Sequence, residues 1–275
     1  MVVREWGEED ARPLVFWHGL NPFGALQLNE AGPIWAARGL RVLAPAAPGL
    51  SDPNGFPDLE DYRPTRLADL VVELADELRL ARFDYVGWSW GATIGVHLAA
   101  RHADRLTALA LLDAGHTDVR DVGEWTDATL EERVAQSEAN PISFPSWEDV
   151  LRISRQRATA WRPALEERVR SGLEEKDGRI VARGSVAAAA AAFHWVGVER
   201  PSPQLPALGR LALPILLVVA SRNDTSHQIE RFRAAVPHAR VETIDSEHDL
   251  FAHAPGETAR VVADWLLEEA QPSVA

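Results

Sequence analysis

The sequence predicts an α/β protein, a mostly parallel sheet flanked by helices and interrupted once by an inserted helical module. Three observations carry this expectation. Short apolar runs alternate with segments of helical period up to about residue 112, the pattern of strands joined by crossover helices. The same alternation returns after residue 206, and between the two the strand signals nearly vanish. The organisation expected is therefore one core built from residues 1–115 and 206–275, with a helical cap at 116–205.

Each element has its own signal. Apolar runs at 13–17, 41–44, 83–86 and 106–112 are short enough for strands and apolar enough to be covered on both faces. Between the second and third of these, Leu67, Leu70, Val71, Leu74 and Leu78 fall at helical spacing and form a stripe that must pack on a sheet. In the insertion, helices are expected at 130–139, at 146–160 with Ser146 as N-cap, at 163–173 with Pro163 in the first turn, and at 186–198. The alanine run at 187–192 reads as a small-residue helix face, and the Pro-rich 201–206 reads as the hinge back to the sheet. Strands at 215–219 and 240–244 and helices at 228–236 and 256–268 complete the core.

Composition narrows the function classes. A chain of 275 residues, 46% hydrophobic and 25% charged, has the proportions of a folded domain with a full core. Its net charge of -13 repels phosphate backbones and anionic lipid surfaces, so neither nucleic acid nor membrane is an expected partner. With no cysteine, thiolate nucleophiles, disulfides and Cys-based metal sites are excluded. Residues 1–10 show no basic leader, and no window is apolar enough to span a bilayer, so the expected compartment is the cytoplasm. No Gly-x-Gly-x-x-Gly occurs, which argues against a dinucleotide-dependent oxidoreductase. No metal and no cofactor are expected.

The sharpest chemical signal is Gly87-Trp88-Ser89-Trp90-Gly91, which follows a strand and opens a helix. A turn that tight needs two glycines so that strand and helix can approach, and it thrusts the central hydroxyl out at the end of the sheet.

With this elbow the chain resembles the α/β-hydrolase fold family over nearly its full length. Phe16-Trp17-His18-Gly19-Leu20 is similar to the family's oxyanion segment, and Ala44-Pro45-Ala46-Ala47-Pro48-Gly49 to the Pro-Gly turn that follows it. Leu213 to Asp224 is similar to the strand-to-acid segment, and Ile244-Asp245-Ser246-Glu247-His248 to the histidine loop. The resemblance places Met1 at the second strand, so the family's first strand is expected to be missing or very short.

The resemblance implies a triad of Ser89, Asp224 and His248, with the backbone N–H groups of Leu20 and Trp90 as the oxyanion hole. Asp113, at the end of the 106–112 strand, is the competitor of Asp224, because some members take their acid from that strand. His18 is read as a brace for the oxyanion loop rather than as a catalytic group. Trp17, Trp88, Trp125, Phe144, Trp147 and Trp195 are expected to wall a substrate pocket beneath the cap. The activity expected is hydrolysis of a small to medium carboxylic ester through an acyl-enzyme. Carbon-carbon hydrolase, lactonase, perhydrolase and prolyl aminopeptidase chemistry stay open, as does a ligand-binding protein on the same fold. An Asp nucleophile marks the family's haloalkane dehalogenases and epoxide hydrolases, and Ser89 argues against both.

Overall fold

The computed structural model describes residues 1–52, 54–122 and 125–268; the last seven residues of the expected second core segment, 269–275, lie outside the described residues. Along the chain, β1 (Val3–Trp6), β2 (Arg12–Trp17), α1 (Ala31–Ala37), β3 (Leu40–Pro45), α2 (Pro64–Glu77), β4 (Phe83–Trp88), α3 (Trp90–His102) and β5 (Leu106–Leu112) build the first part of the core. The insertion follows with α4 (Leu130–Ala139), β6 (Ser143–Phe144), α5 (Trp147–Arg157), α6 (Pro163–Ser171), β7 (Leu173–Lys176), β8 (Arg179–Ala182) and α7 (Val186–Val198). The core resumes with α8 (Leu205–Leu208), β9 (Ile215–Ala220), α9 (Ser226–Ala235), β10 (Arg240–Ile244), α10 (Leu250–His253) and α11 (Pro255–Glu268). No described helix is long and apolar enough to cross a membrane.

The main sheet has the order β1-β3-β2-β4-β5-β9-β10 and is parallel except for β1, which runs antiparallel to β3 at one edge. All six residues of β4 and of β9 are buried, as expected for central strands with helices on both faces. Side chains alternate between the faces with period two. Val15 and Trp17 enter the core cluster shared with α2 and α3, while Leu14 and Phe16 enter the one shared with α1 and α11. The α2 stripe buries Leu67, Val71 and Leu74, which is why that helix lies flat on the sheet.

The insertion departs from an all-helical module. Its helices start where capping chemistry dictates: Thr129 and Glu132 form a capping box on α4, and the Ser146 and Ser185 side chains accept from Asp149 N and Ala188 N. It also holds a three-stranded antiparallel sheet, β6-β8-β7. The β7–β8 hairpin turns through Asp177 and Gly178 at φ 51° and 70°. Asp-Gly is a strong hairpin signal, but it is flanked here by Glu174, Glu175, Lys176 and Arg179, whose charge hides the strands from an apolar-periodicity reading. The expected hinge at 201–206 is likewise structured. It folds into a 3-10 turn and α8, burying Leu205 and Leu208 beside α3 and α9.

The two ends of the insertion are pinned together by Asp118, whose buried carboxylate accepts from Ser202 N at 3.1 Å and Ser202 Oγ at 2.6 Å. Further along, Arg162 donates to the carbonyls of Phe251 and Ala252, and Arg168 forms a 2.8 Å ion pair with Asp249. The insertion thus grips the loop that carries His248.

Candidate active site

Ser89 ends the strand-turn-helix at the C-terminal edge of the sheet. Its backbone sits at φ 55°, ψ -115°, a conformation that costs about 1–3 kcal/mol for a residue with a side chain. Hydrogen bonds hold it there: Ser89 N donates to Leu112 O, and Ala92 N and Thr93 N donate to Ser89 O. The flanking glycines are required by space. A Cβ on Gly87 would stand 2.3 Å from Gly91 O, and one on Gly91 2.1 Å from Trp17 O.

His248 reaches Ser89 from the loop after β10. Its Nε2 lies 2.8 Å from Ser89 Oγ, and its Nδ1 lies 2.7 Å from Asp113 Oδ2. A carboxylate accepts only, so Nδ1 carries the ring proton and Nε2 is free to accept from the serine hydroxyl. Trp88 lies under the ring at 5.2 Å between centroids and donates its Nε1–H to His248 O at 2.9 Å.

The histidine's partner is therefore Asp113 and not Asp224, which the sequence favours. Asp113 follows β5, pairs its N–H with Val218 O, and turns its side chain across the end of β9 at φ 50°. There its Oδ1 accepts from Ala220 N at 2.8 Å, and its Oδ2 accepts from Asn223 Nδ2 at 2.5 Å as well as from His248. Asp224 is exposed, lines the cavity beside Ser89 and accepts from Ser226 Oγ at 3.1 Å. The two segments converge because β5 and β9 are neighbours, so the acid and its Asn223 donor meet from different strands. Asp113 and Asp224 both offered a carboxylate in sequence, but only the pairing of strands shows which one faces the imidazole.

The segment after β2 is organised by His18, fully buried. Its Nε2 accepts from Ala47 N at 3.2 Å and from Ser51 Oγ at 3.1 Å, and its Nδ1 donates to Gly19 O at 2.6 Å. Burial lowers its pKa to about 4, so the ring stays neutral and keeps this donor-acceptor pattern near neutral pH. The next residue, Leu20, lines the same cavity as Trp90. Trp90 opens α3, where first-turn N–H groups have no intrahelical acceptor and are available to an anion.

A cavity of about 680 Å³ opens over Ser89 and His248. Its apolar walls include Leu20, Trp90, Val119, Phe193 and Val196. None of the six aromatics expected to wall it does so. Trp17 is fully buried against Trp90 and His18, and Trp88 supports the His248 loop from below. Trp125 lies against Gly197 with the Arg120 and Arg133 guanidinium groups over its ring, and Trp195 lies under Arg63 with its Nε1–H on Leu59 O. Phe144 and Trp147 belong to a separate cluster around Val150 and Ile180. Each of the six instead finds its apolar partners away from the cleft, whereas Trp90 and Phe193 are the rings that face it. Among the described residues, no three His, Asp or Glu side chains are placed to hold a metal ion.

Residues 12–255 match the family described as the alpha/beta hydrolase fold. The chain is 33% identical over 105 residues to a haloalkane dehalogenase of Mycobacterium marinum, a match covering 38% of this chain and 35% of that protein. It is 26% identical over 273 residues to a haloalkane dehalogenase of Mycolicibacterium paratuberculosis, covering 94% and 85%. The matches to the Mycobacterium marinum protein and to one from Psychrobacter cryohalolentis span about a third of those relatives' length. Among solved structures, the enol-lactonase of Burkholderia xenovorans superposes with a TM-score of 0.75 at 20% identity, covering 97% of this chain and 96% of that one. The thioesterase domain from the curacin biosynthetic pathway superposes with a TM-score of 0.75 at 16% identity, covering 96% and 94%. With the family matched over most of its length and the sheet, elbow and histidine loop in place, the chain belongs to the alpha/beta hydrolase fold family.

Proposed function

We propose that this protein is a serine hydrolase that cleaves small to medium carboxylic esters through an acyl-enzyme intermediate. The observation that carries the reading is the continuous hydrogen-bonded line from Ser89 Oγ through His248 to Asp113. A neutral serine hydroxyl is a weak nucleophile, and a base within 2.8 Å removes its proton as the Oγ–C bond forms. Asp113 holds the ring in the accepting tautomer and stabilises the imidazolium that forms. The N–H groups of Leu20 and Trp90 stabilise the oxyanion, about 3 kcal/mol each in comparable sites. His248 then returns the proton to the departing alkoxide, and water repeats the sequence in reverse roles to release the acid. The insertion acts as a cap, with Val119, Phe193 and Val196 closing the cavity over the reacting carbon.

The dehalogenase relatives suggest a different reaction, displacement of halide at a saturated carbon. Ser89 speaks against it on chemical grounds. A serine alkoxide displacing halide would leave an ether, which water does not cleave under these conditions. The same hydroxyl attacking an ester leaves an ester, which water does cleave. A nitrophenyl ester series of two to twelve acyl carbons tests the proposal, with organophosphate labelling of Ser89 as the direct readout. Turnover and label are expected in the native chain, and both are expected to vanish in Ser89→Ala and His248→Ala. Equal turnover by the native chain and Ser89→Ala refutes the reading.

A further inference from the structure

A second cavity of about 440 Å³ begins at Leu20 and Phe193, the two residues it shares with the cavity over Ser89. Its charged lining residues are Arg133 and Arg183, with no Asp or Glu among those that line it, in a chain whose net charge is -13. Arg183 has a partner: it faces Glu174 at 3.8 Å and donates to Leu173 O.

Arg133 is different. It projects from α4 and is only 9% exposed. Its Nη2 donates to Thr126 O at 2.7 Å and Thr126 Oγ1 at 3.3 Å, while its Nε is buried without any acceptor. The guanidinium lies 4.4 Å from the Trp125 ring and 5.2 Å from the Phe193 ring. Among the described residues no carboxylate pairs with it. Burial lowers its pKa with no opposing charge to raise it, and its positive field in turn lowers that of His194, after the larger effect of burial on that ring. A guanidinium withdrawn from water without an anion is unfavourable, and ring faces compensate only partly. Such a group, in the wall of a cavity that adjoins the one over Ser89 at Leu20 and Phe193, is suited to complete its ion pair with a ligand, preferably a planar carboxylate.

We propose that Arg133 binds a carboxylate carried by the substrate, so that the preferred substrates are monoanionic esters such as half-esters of dicarboxylic acids. Resting on the serine hydrolase reading, this assigns the second cavity to the charged end of the molecule and the Ser89 cavity to the scissile carbonyl and its other arm.

The test separates binding from turnover. Ser89→Ala protein is titrated calorimetrically with monomethyl esters of dicarboxylic acids of four to eight carbons, and with the corresponding neutral dimethyl esters. At one or more chain lengths the half-ester is expected to bind at least tenfold more tightly than the diester. Adding Arg133→Gln should abolish that difference, and adding Arg133→Lys, which keeps the charge without the planar fork, should retain part of it. Equal affinities at every length overturn the proposal, as does a preference that survives Arg133→Gln. The comparison on Ser89→Ala alone decides whether charge is read, whatever the stability of the double variants. Should the native chain hydrolyse neither nitrophenyl esters nor the half-esters while the half-ester preference in binding persists, the hydrolase reading fails and the anion site stands; turnover without the preference gives the reverse.

Discussion

Replacing Asp113 by Asn probes which acid serves His248. The carboxylate receives three donors: Ala220 N on Oδ1, and Asn223 Nδ2 and His248 Nδ1 on Oδ2. An amide can meet them in two orientations. With its oxygen toward Ala220 N, its NH2 faces Asn223 and His248; Asn223 relieves the conflict by flipping its own amide, and the ring by moving its proton to Nε2. With its oxygen toward His248, the NH2 opposes the Ala220 backbone N–H, which cannot flip and would remain buried and unpaired at about 1–3 kcal/mol. The first orientation wins, and it leaves Nε2 protonated and unable to accept from Ser89. In comparable triads the wrong tautomer lowers kcat by about 10⁴, equivalent to roughly 5 kcal/mol of barrier at 1.36 kcal/mol per tenfold. Asp224→Asn, altering an exposed group bonded to Ser226, should change kcat less than about tenfold. Steady-state hydrolysis of a nitrophenyl ester by both variants decides. A large loss in Asp224→Asn with near-native activity in Asp113→Asn would refute this assignment.

Other outcomes follow from the same geometry. Ser89→Gly should abolish turnover yet raise stability by about 1 kcal/mol in urea unfolding, because glycine adopts φ 55° without strain; lower stability would show that the elbow is relaxed. Gly91→Ala should cost about 3 kcal/mol or more, seen as a fall in Tm or in folded yield, since its Cβ would meet Trp17 O at 2.1 Å. His18 titrates at about 4 in the folded chain against an ordinary 6.5, so the unfolded chain binds more protons between those values. Its stabilising contribution is complete above pH 6.5 and declines as pH falls toward 4, by about 2 kcal/mol at pH 5. Urea unfolding at pH 7.5 and pH 5 should show this dependence reduced by that amount in His18→Gln, and an identical dependence in both proteins would count against it.

Local chemistry made much of the molecule readable from the chain alone. Alternating apolar runs gave the six parallel strands of the main sheet, the α2 stripe gave the crossover helix, and Gly87-x-Ser89-x-Gly91 gave a turn that only glycine at those two places permits. Ser146 placed the start of α5 because its side chain and the backbone donor it caps lie within three residues of each other. Short-range signals of that kind do not depend on the rest of the fold.

Tertiary structure decided what depends on which strands lie side by side and where large side chains find room. Asp113 rather than Asp224 meets His248 because β5 and β9 are neighbours and the Asp113 carboxylate crosses the end of β9, a relation separated by more than a hundred residues of chain. Of the aromatic rings near the elbow and in the insertion, Trp90 and Phe193 line the cavity, while Trp17, Trp88 and Trp195 are buried in packing and Trp125, Phe144 and Trp147 pack elsewhere in the insertion, a division that depends on how the elements close around each ring. The burial of Arg133 without a carboxylate partner among the described residues emerges only once α4, Trp125 and Phe193 close around it, since in sequence it is an ordinary arginine on a polar helix. Sequence thus determined the parts whose physics is local, and the assembled fold determined the partners.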